Sequence, residues 1–228
     1  MLGPSQKIQW NIMDIEFRNY TSEVITKTKD IIQGIYDTKR YKILCLHGGG
    51  GSATSFSQQS GMQSLIKSLP QFEFVFIDSP LSSGVWWADP VSKDQPTTDP
   101  QHANTSIDFI ESYITNNGPF YGLLGYSQGA AMVSVFLSNK PEITFQKVLM
   151  FNGYLPITHR GLMSTINEKK PLTTPALIFL GEKDVFYELG LDVKSVYSDF
   201  QEVISTTADH HLPFSDDSMF QTVKQFLY

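Results

Sequence analysis

Three kinds of residue decide what chemistry is open to this chain: a serine between glycines, an acid after an apolar run, and a pair of histidines after another. Gly125-Tyr126-Ser127-Gln128-Gly129 is a Gly-x-Ser-x-Gly pattern. In that pattern a strand ends in a sharp turn, a helix begins, and a strained backbone exposes the serine hydroxyl. A hydroxyl is a poor nucleophile until a base takes its proton, so a histidine steadied by a carboxylate is needed, in chain order serine, acid, histidine. Asp184 follows the run "ALIFL" through a glycine turn, and His210 and His211 follow "EVIST". Each stands just past the end of a different strand-like run. The residues alone leave the base open between the two histidines, because neighbours in an extended loop point apart and only one can face the serine.

Acyl transfer also builds negative charge on a carbonyl oxygen, which fixed backbone N–H groups stabilise. The stretch "LHGGGGS", Leu46 to Ser52, follows the first strong apolar run, and glycines allow the backbone to approach a reacting carbonyl closely. The expected donors are the amide of Gln128, directly after the serine, and one from the glycine loop, with Gly49 the candidate. A phosphate-binding loop is the competing reading. The stretch has neither the Gly-Lys-Ser/Thr ending of a P-loop nor the G-x-G-x-x-G spacing of a dinucleotide site.

These residues need a scaffold that brings strand ends together. The runs "YKILCL", "FEFVFI", "FYGLL", "KVLMF", "ALIFL" and "EVIST" are short and apolar without alternation, as in strands buried on both faces of a parallel sheet. Between them, residues 56–68 and 103–116 carry apolar side chains at helical spacing, and "QGAAMVSVFLSN" continues helix-like from the serine. The alternation predicts an α/β fold: a doubly wound, mostly parallel sheet with helices on both faces and its ligands beyond the carboxyl ends of the strands. Two stretches interrupt the pattern. Residues 79–104 are rich in Pro, Asp and Ser and form a candidate pocket wall, and residues 153–175 form an insertion too short for a separate lid domain. Residues 1–40 are set apart as an N-terminal segment with a predicted helix over Thr21–Tyr36, followed by the main domain over 41–228.

The 228 residues suit one sizeable core, and 41% hydrophobic with 18% charged residues excludes disordered and fibrous classes. A net charge of −6, a pI near 5.3 and no cluster of Lys or Arg argue against nucleic acid or a polybasic membrane patch. The one cysteine, Cys45, permits no intrachain disulfide and reads as a buried, inert thiol. Charges and amides run through the first twenty residues, and no apolar run approaches the roughly 18 residues of a membrane span. The expectation is a cytoplasmic protein that acts on a small acyl substrate, free or carrier-bound. No grouping of His, Cys and acidic residues has metal-ligand spacing, so neither metal nor other cofactor is expected.

The ordered set "LCLHG", "FIDSP", "WWADP", "GYSQGAAM", "FNGY", "GEKD" and "HHLP" resembles the FSH family of serine hydrolases, small α/β-hydrolases without a large cap domain. The resemblance spans about residues 41–228. It implies an α/β-hydrolase fold and an esterase or thioesterase activity with Ser127 as nucleophile, Asp184 as acid and His210 as base, since the family's histidine stands three positions before a proline, here Pro213. Two departures are visible: glycines at 49–51 where the family has bulkier residues, and Ala208-Asp209 where it often has Gly-Gly. Acyl-protein thioesterase or lysophospholipase-like carboxylesterase activity, or a hydrolase fold that binds without turnover, are the alternatives.

Other residues are assigned by their surroundings. His47 is expected to brace the glycine loop, and His102 and His159, in the two insertions, to be solvated. Trp86 and Trp87 are the candidate substrate-binding residues: either one lines the acyl pocket while its neighbour anchors the loop, or both are anchors in the core.

Overall fold

The computed structural model describes residues 21, 24–28, 40–90 and 94–228. The chain divides into two compact units, Met1–Arg40 and Tyr41–Tyr228. In the first, Thr21 and residues 24–28 are helical, within the helix expected over Thr21–Tyr36, the rest of which lies outside the described residues.

The second unit is built on six strands: β1 (Tyr41–Leu46), β2 (Phe72–Ile77), β3 (Gly122–Tyr126), β4 (Lys147–Phe151), β5 (Ala176–Gly181) and β6 (Phe200–Ser205). Every pairing is parallel and the order is β2-β1-β3-β4-β5-β6. Winding starts at β1, moves one way to β2, then reverses through β3 to the far edge. The crevice between the carboxyl ends of β1 and β3 is therefore the switch point at which sheets of this kind bind ligands.

Seven helices join the strands in the described residues: α1 (Ala53–Ser57), α2 (Ser60–Ser68), α3 (Asn104–Asn117), α4 (Gln128–Asn139), α5 (Arg160–Lys169), α6 (Tyr187–Gly190) and α7 (Phe220–Phe226). Alternate strand residues serve opposite faces, which is why the strands read as continuous apolar runs. Ile43 and Cys45 pack with Phe56, Met62 and Phe220, while Leu44 and Leu46 pack with Ile107, Val133 and Leu162 on the other face. Helix α4 runs through that second layer and is buried from Gln128 to Ser138. It therefore lacks the polar stripe of a surface helix. Burial holds the Cys45 thiol well above its usual pKa.

Three local details differ from the sequence reading. The helix expected over 56–68 is two, because Ser52 starts α1 with a reciprocal cap to Ser55 and Gln59, with ψ of 137°, leaves helical geometry before α2. Strand β3 starts two residues into "FYGLL". The insertion at 153–175 contains α5, whose buried stripe is only Gly161, Leu162 and Ile166. Among the described residues, no helix is long and apolar enough to cross a membrane.

Candidate active site

Ser127 occupies the one-residue joint between β3 and α4, with φ of 54° and ψ of −121°. A side chain other than glycine's is uncommon at positive φ and costs on the order of 1–3 kcal/mol there. The two glycines of the motif make the turn possible by contact. A Cβ on Gly125 would lie 2.4 Å from the carbonyl oxygen of Gly129, and one on Gly129 would lie 2.3 Å from that of Leu46. The helix thus starts hard against β1 and β3, and Ser127 N–H donates to Phe151 O on β4 at 2.9 Å.

Loops from β5 and β6 bring the other two groups to the same edge. His210 Nε2 lies 2.9 Å from Ser127 Oγ, and His210 Nδ1 lies 2.6 Å from Asp184 Oδ2. A carboxylate only accepts, so the ring carries its proton on Nδ1 and offers Nε2 as acceptor to the serine hydroxyl. Asp184 is buried, and its other oxygen accepts from the amide of Phe186 at 2.8 Å. His211 turns away: it stacks on Phe214 at 4.2 Å, and its Nε2 lies 3.2 Å from Asp209 Oδ1.

The loop carrying His210 is fixed by two side chains that the sequence reading did not assign. The Tyr126 hydroxyl donates to the carbonyl of His210 at 2.5 Å. Burial first, and then the carboxylates of Asp184 and Asp209, push that phenol up to about 12, so it remains a donor. Asn152 leaves β4 with φ of 49° and is 1% exposed. Its amide nitrogen donates to the carbonyls on either side of His210, those of Asp209 at 3.2 Å and His211 at 2.9 Å. Its amide oxygen accepts from Gly181 N at 2.8 Å, at the end of the strand that leads to Asp184. The one signal in the sequence was an Asn-Gly pair at a strand exit, since asparagine tolerates left-handed backbone.

The glycine loop lies on the other side of the serine. A Cβ on Gly48 would come within 3.2 Å of Ser127 Cβ, and one on Gly49 within 3.2 Å of Gln128 Oε1. Neither the Gly49 nor the Gln128 amide donates to an acceptor among the described residues. His47 is buried and braces the loop as expected: Nε2 accepts from Ser79 N at 3.0 Å, which leaves Nδ1–H to donate to Gly48 O at 2.8 Å. Gly84, with φ of 68°, takes the amide of Gly50 on its carbonyl. The glycines thus serve close contact between this loop and the segment after β2.

Trp86 and Trp87 require a correction as substrate-binding candidates. The indoles are 0% and 1% exposed and both belong to the core, which leaves neither a face for an acyl group. Trp86 Nε1–H donates to His47 O at 2.7 Å. The Gln128 side chain accepts from Trp86 N at 2.9 Å and donates to Trp87 O at 3.0 Å, so it locks this loop to the residue after the serine. The histidines of the insertions are not solvated either. His159 is buried, His102 is half-buried, and both direct Nε2 at the Ala88 carbonyl, at 3.0 and 2.8 Å. Loss of solvent on burial, and next the neighbouring His102, hold His159 below the usual histidine pKa, against the pull of the Ala88 carbonyl. A shared carbonyl and the Thr97–His159 bridge join the two insertions, a pairing between distant segments that no local pattern displays.

A pocket of about 280 Å³ is lined by Tyr154, Leu155, Ile157, Thr158 and Arg160 of the segment after β4, with Pro96 and Leu189. The Tyr154 ring is 6.0 Å from that of Phe186, which stands edge-on to His210 at 5.2 Å. Among the described residues, no group of three or more His, Cys, Asp or Glu could hold a metal ion.

A parallel, doubly wound sheet with a strained serine between strand and helix defines the α/β-hydrolase class. The carboxylesterase of Mesorhizobium loti shares this fold at a TM-score of 0.58, with 18% identity over 82% of this chain and 88% of that one. Residues 37–222 match the family model described as serine hydrolase (FSH1), and the chain belongs to that family. Among its relatives, the esterase C25G4.2 of Caenorhabditis elegans is 32% identical over 165 residues, 64% of this chain and 73% of the other. The esterase FUS5 of Gibberella fujikuroi is 27% identical over 197 residues, 78% and 82% of the two chains.

Proposed function

We propose that this chain hydrolyses carboxylic esters or thioesters of small to medium acyl groups through an acyl-enzyme on Ser127. The observation that carries this reading is the unbroken hydrogen-bonded series from Asp184 through His210 to Ser127. Relatives named esterases agree with it. The strain at Ser127 is of the kind that backbones keep at functional sites, and it agrees with this reading.

In the first half-reaction Ser127 Oγ attacks the acyl carbon while His210 Nε2 takes the hydroxyl proton. Asp184 keeps the ring in the required tautomer and stabilises the imidazolium. The negative charge on the former carbonyl oxygen is met by the free amides of Gly49 and Gln128, each contributing on the order of 3–4 kcal/mol in the transition state. Collapse breaks the bond to the leaving alkoxide or thiolate, which departs with the proton from His210. Water then attacks the acyl-serine, again giving its proton to His210, and the carboxylic acid and free Ser127 are released.

A fluorophosphonate probe tests this directly. Stoichiometric labelling of Ser127 with loss of ester turnover, and no loss with a chelator, is the expected result. Labelling at another residue, or turnover retained in Ser127→Ala, ends the reading.

A further inference from the structure

We propose that Phe186 is the side chain against which the leaving alcohol or thiol packs, so that the site selects apolar leaving groups. The inference rests on the reading of Ser127 as an acyl-transfer nucleophile and concerns which half of the substrate meets this ring.

Stereochemistry divides the site. The tetrahedral carbon on Ser127 Oγ carries three other groups: the oxyanion, the leaving oxygen or sulfur, and the acyl chain. The oxyanion turns to the amides of Gly49 and Gln128. The leaving oxygen takes its proton from His210 Nε2, so it lies about 2.6–3.2 Å from that nitrogen, and the first carbons behind it fall roughly 4–6 Å from the imidazole. Two aromatic rings stand at that range, Tyr126 and Phe186, each with its centroid 5.2 Å from that of the imidazole. Tyr126 is already engaged, its ring stacked on Phe56 at 5.6 Å and its hydroxyl given to the His210 carbonyl. Phe186 is 39% exposed and keeps an open side.

The fold does not account for that exposure. Val185 is 87% and Leu189 40% exposed, so three large apolar side chains reach solvent within the five residues that follow Asp184. Exposed apolar groups gathered in one place mark a binding surface, whereas single ones do not. The position of the ring is fixed relative to the acid and the base. Its backbone amide donates to Asp184 Oδ1 at 2.8 Å, and the ring meets Tyr154 at 6.0 Å as well as His210. A hydrocarbon ring offers neither donor nor acceptor, so the group it selects is apolar.

Two ester series separate the halves of the substrate. One holds the acetates of ethanol, butanol and hexanol, alcohols of nearly equal acidity; the other holds the ethyl esters of acetic, butanoic and hexanoic acids. The expected kcat/KM, read by pH-stat titration, rises roughly tenfold from ethyl to hexyl acetate as added methylenes are partly buried against the ring. In Phe186→Ala that rise should shrink to about twofold, while Phe186→Leu, still apolar, should keep a value between the two. The slope of the acyl series should change less than about twofold in either variant. Ratios within one variant cancel any loss common to its substrates, such as a displaced imidazole, so a merely structural role would not move them. The amide that Asp184 accepts from is backbone and persists in both variants, and fluorophosphonate labelling of Ser127 verifies that each is folded. A flat alcohol series in the wild type, a rise unchanged in Phe186→Ala, or a loss that falls on the acyl series instead overturns the inference while leaving Ser127-dependent hydrolysis intact. Absence of Ser127-dependent hydrolysis across both series overturns both readings.

Discussion

Two loops flank the nucleophile, and each is gripped by one side-chain amide. Gln128 holds the loop after β2 through Trp86 N and Trp87 O, and Asn152 holds the loop after β6 through Asp209 O and His211 O. Their contents differ. The first loop drops two indoles into the core, so many apolar contacts hold it as well as the amide. The second carries a partly exposed imidazole, flanked by the rings of Tyr126 and Phe186, that must meet two partners at 2.6 and 2.9 Å. The same chemical device thus consolidates the fold on one side and aims a reactive group on the other.

The largest effect that tests this contrast is on the second loop itself. His210→Ala should lower kcat on the order of 10⁴-fold, whereas His211→Ala, removing a ring stacked on Phe214, should change it less than about tenfold. Equal mild losses would mean that neither histidine is the base.

Next in size is a pair of substitutions, one within the first loop and one in the side chain that grips the second. Trp87→Ala should cost about 3–5 kcal/mol of stability, read by urea unfolding, yet leave kcat of the folded enzyme within about threefold. Asn152→Ala should do the reverse in activity, lowering kcat roughly 10²-fold with KM little changed, because a misplacement of about 1 Å is enough. A KM effect without a kcat effect in Asn152→Ala would remove the aiming role.

The smallest effect concerns pH and the joint between the insertions. The folded-state pKa of His159 is lowered, chiefly by burial, so the unfolded chain binds its proton more readily. The stability this supplies is complete above about pH 6.5, the unfolded value, and is lost as pH falls below it toward the lowered folded value. Wild type should therefore lose more stability than His159→Asn between pH 7.5 and 5.5. Parallel losses would show that His159 is no part of the acid response.

Much of the scaffold was legible because its causes are local. Strands buried on both faces must be apolar at every position, and a serine joint pressed between β1, β3 and α4 must have glycines at 125 and 129. Asp184 and His210 were legible for a related reason, each following a strand whose end the topology delivers to one edge. What escaped is held by pairs distant in sequence. The carbonyls that Asn152 grips lie 57 and 59 residues away, and the carbonyl that His159 meets lies 71 away. Their partners are backbone atoms, which every residue has, so no residue type at the far end marks the contact. For Trp86 and Trp87 the residues left two readings open, one ring lining the pocket or both anchoring the core, because two adjacent rings in a loop both turn inward only when a helix and a second insertion cover them.

The positive φ of Ser127 also bears on how such a chain ages once its activity is no longer needed. Glycine would sit at that joint without strain, so drift at position 127 toward glycine gains stability at the same stroke that ends acyl transfer. A descendant kept only as a binding surface has every physical reason to make that exchange, and none to resist it. The serine stands against the preference of the backbone that carries it, a cost that the proposed turnover at Ser127 would offset.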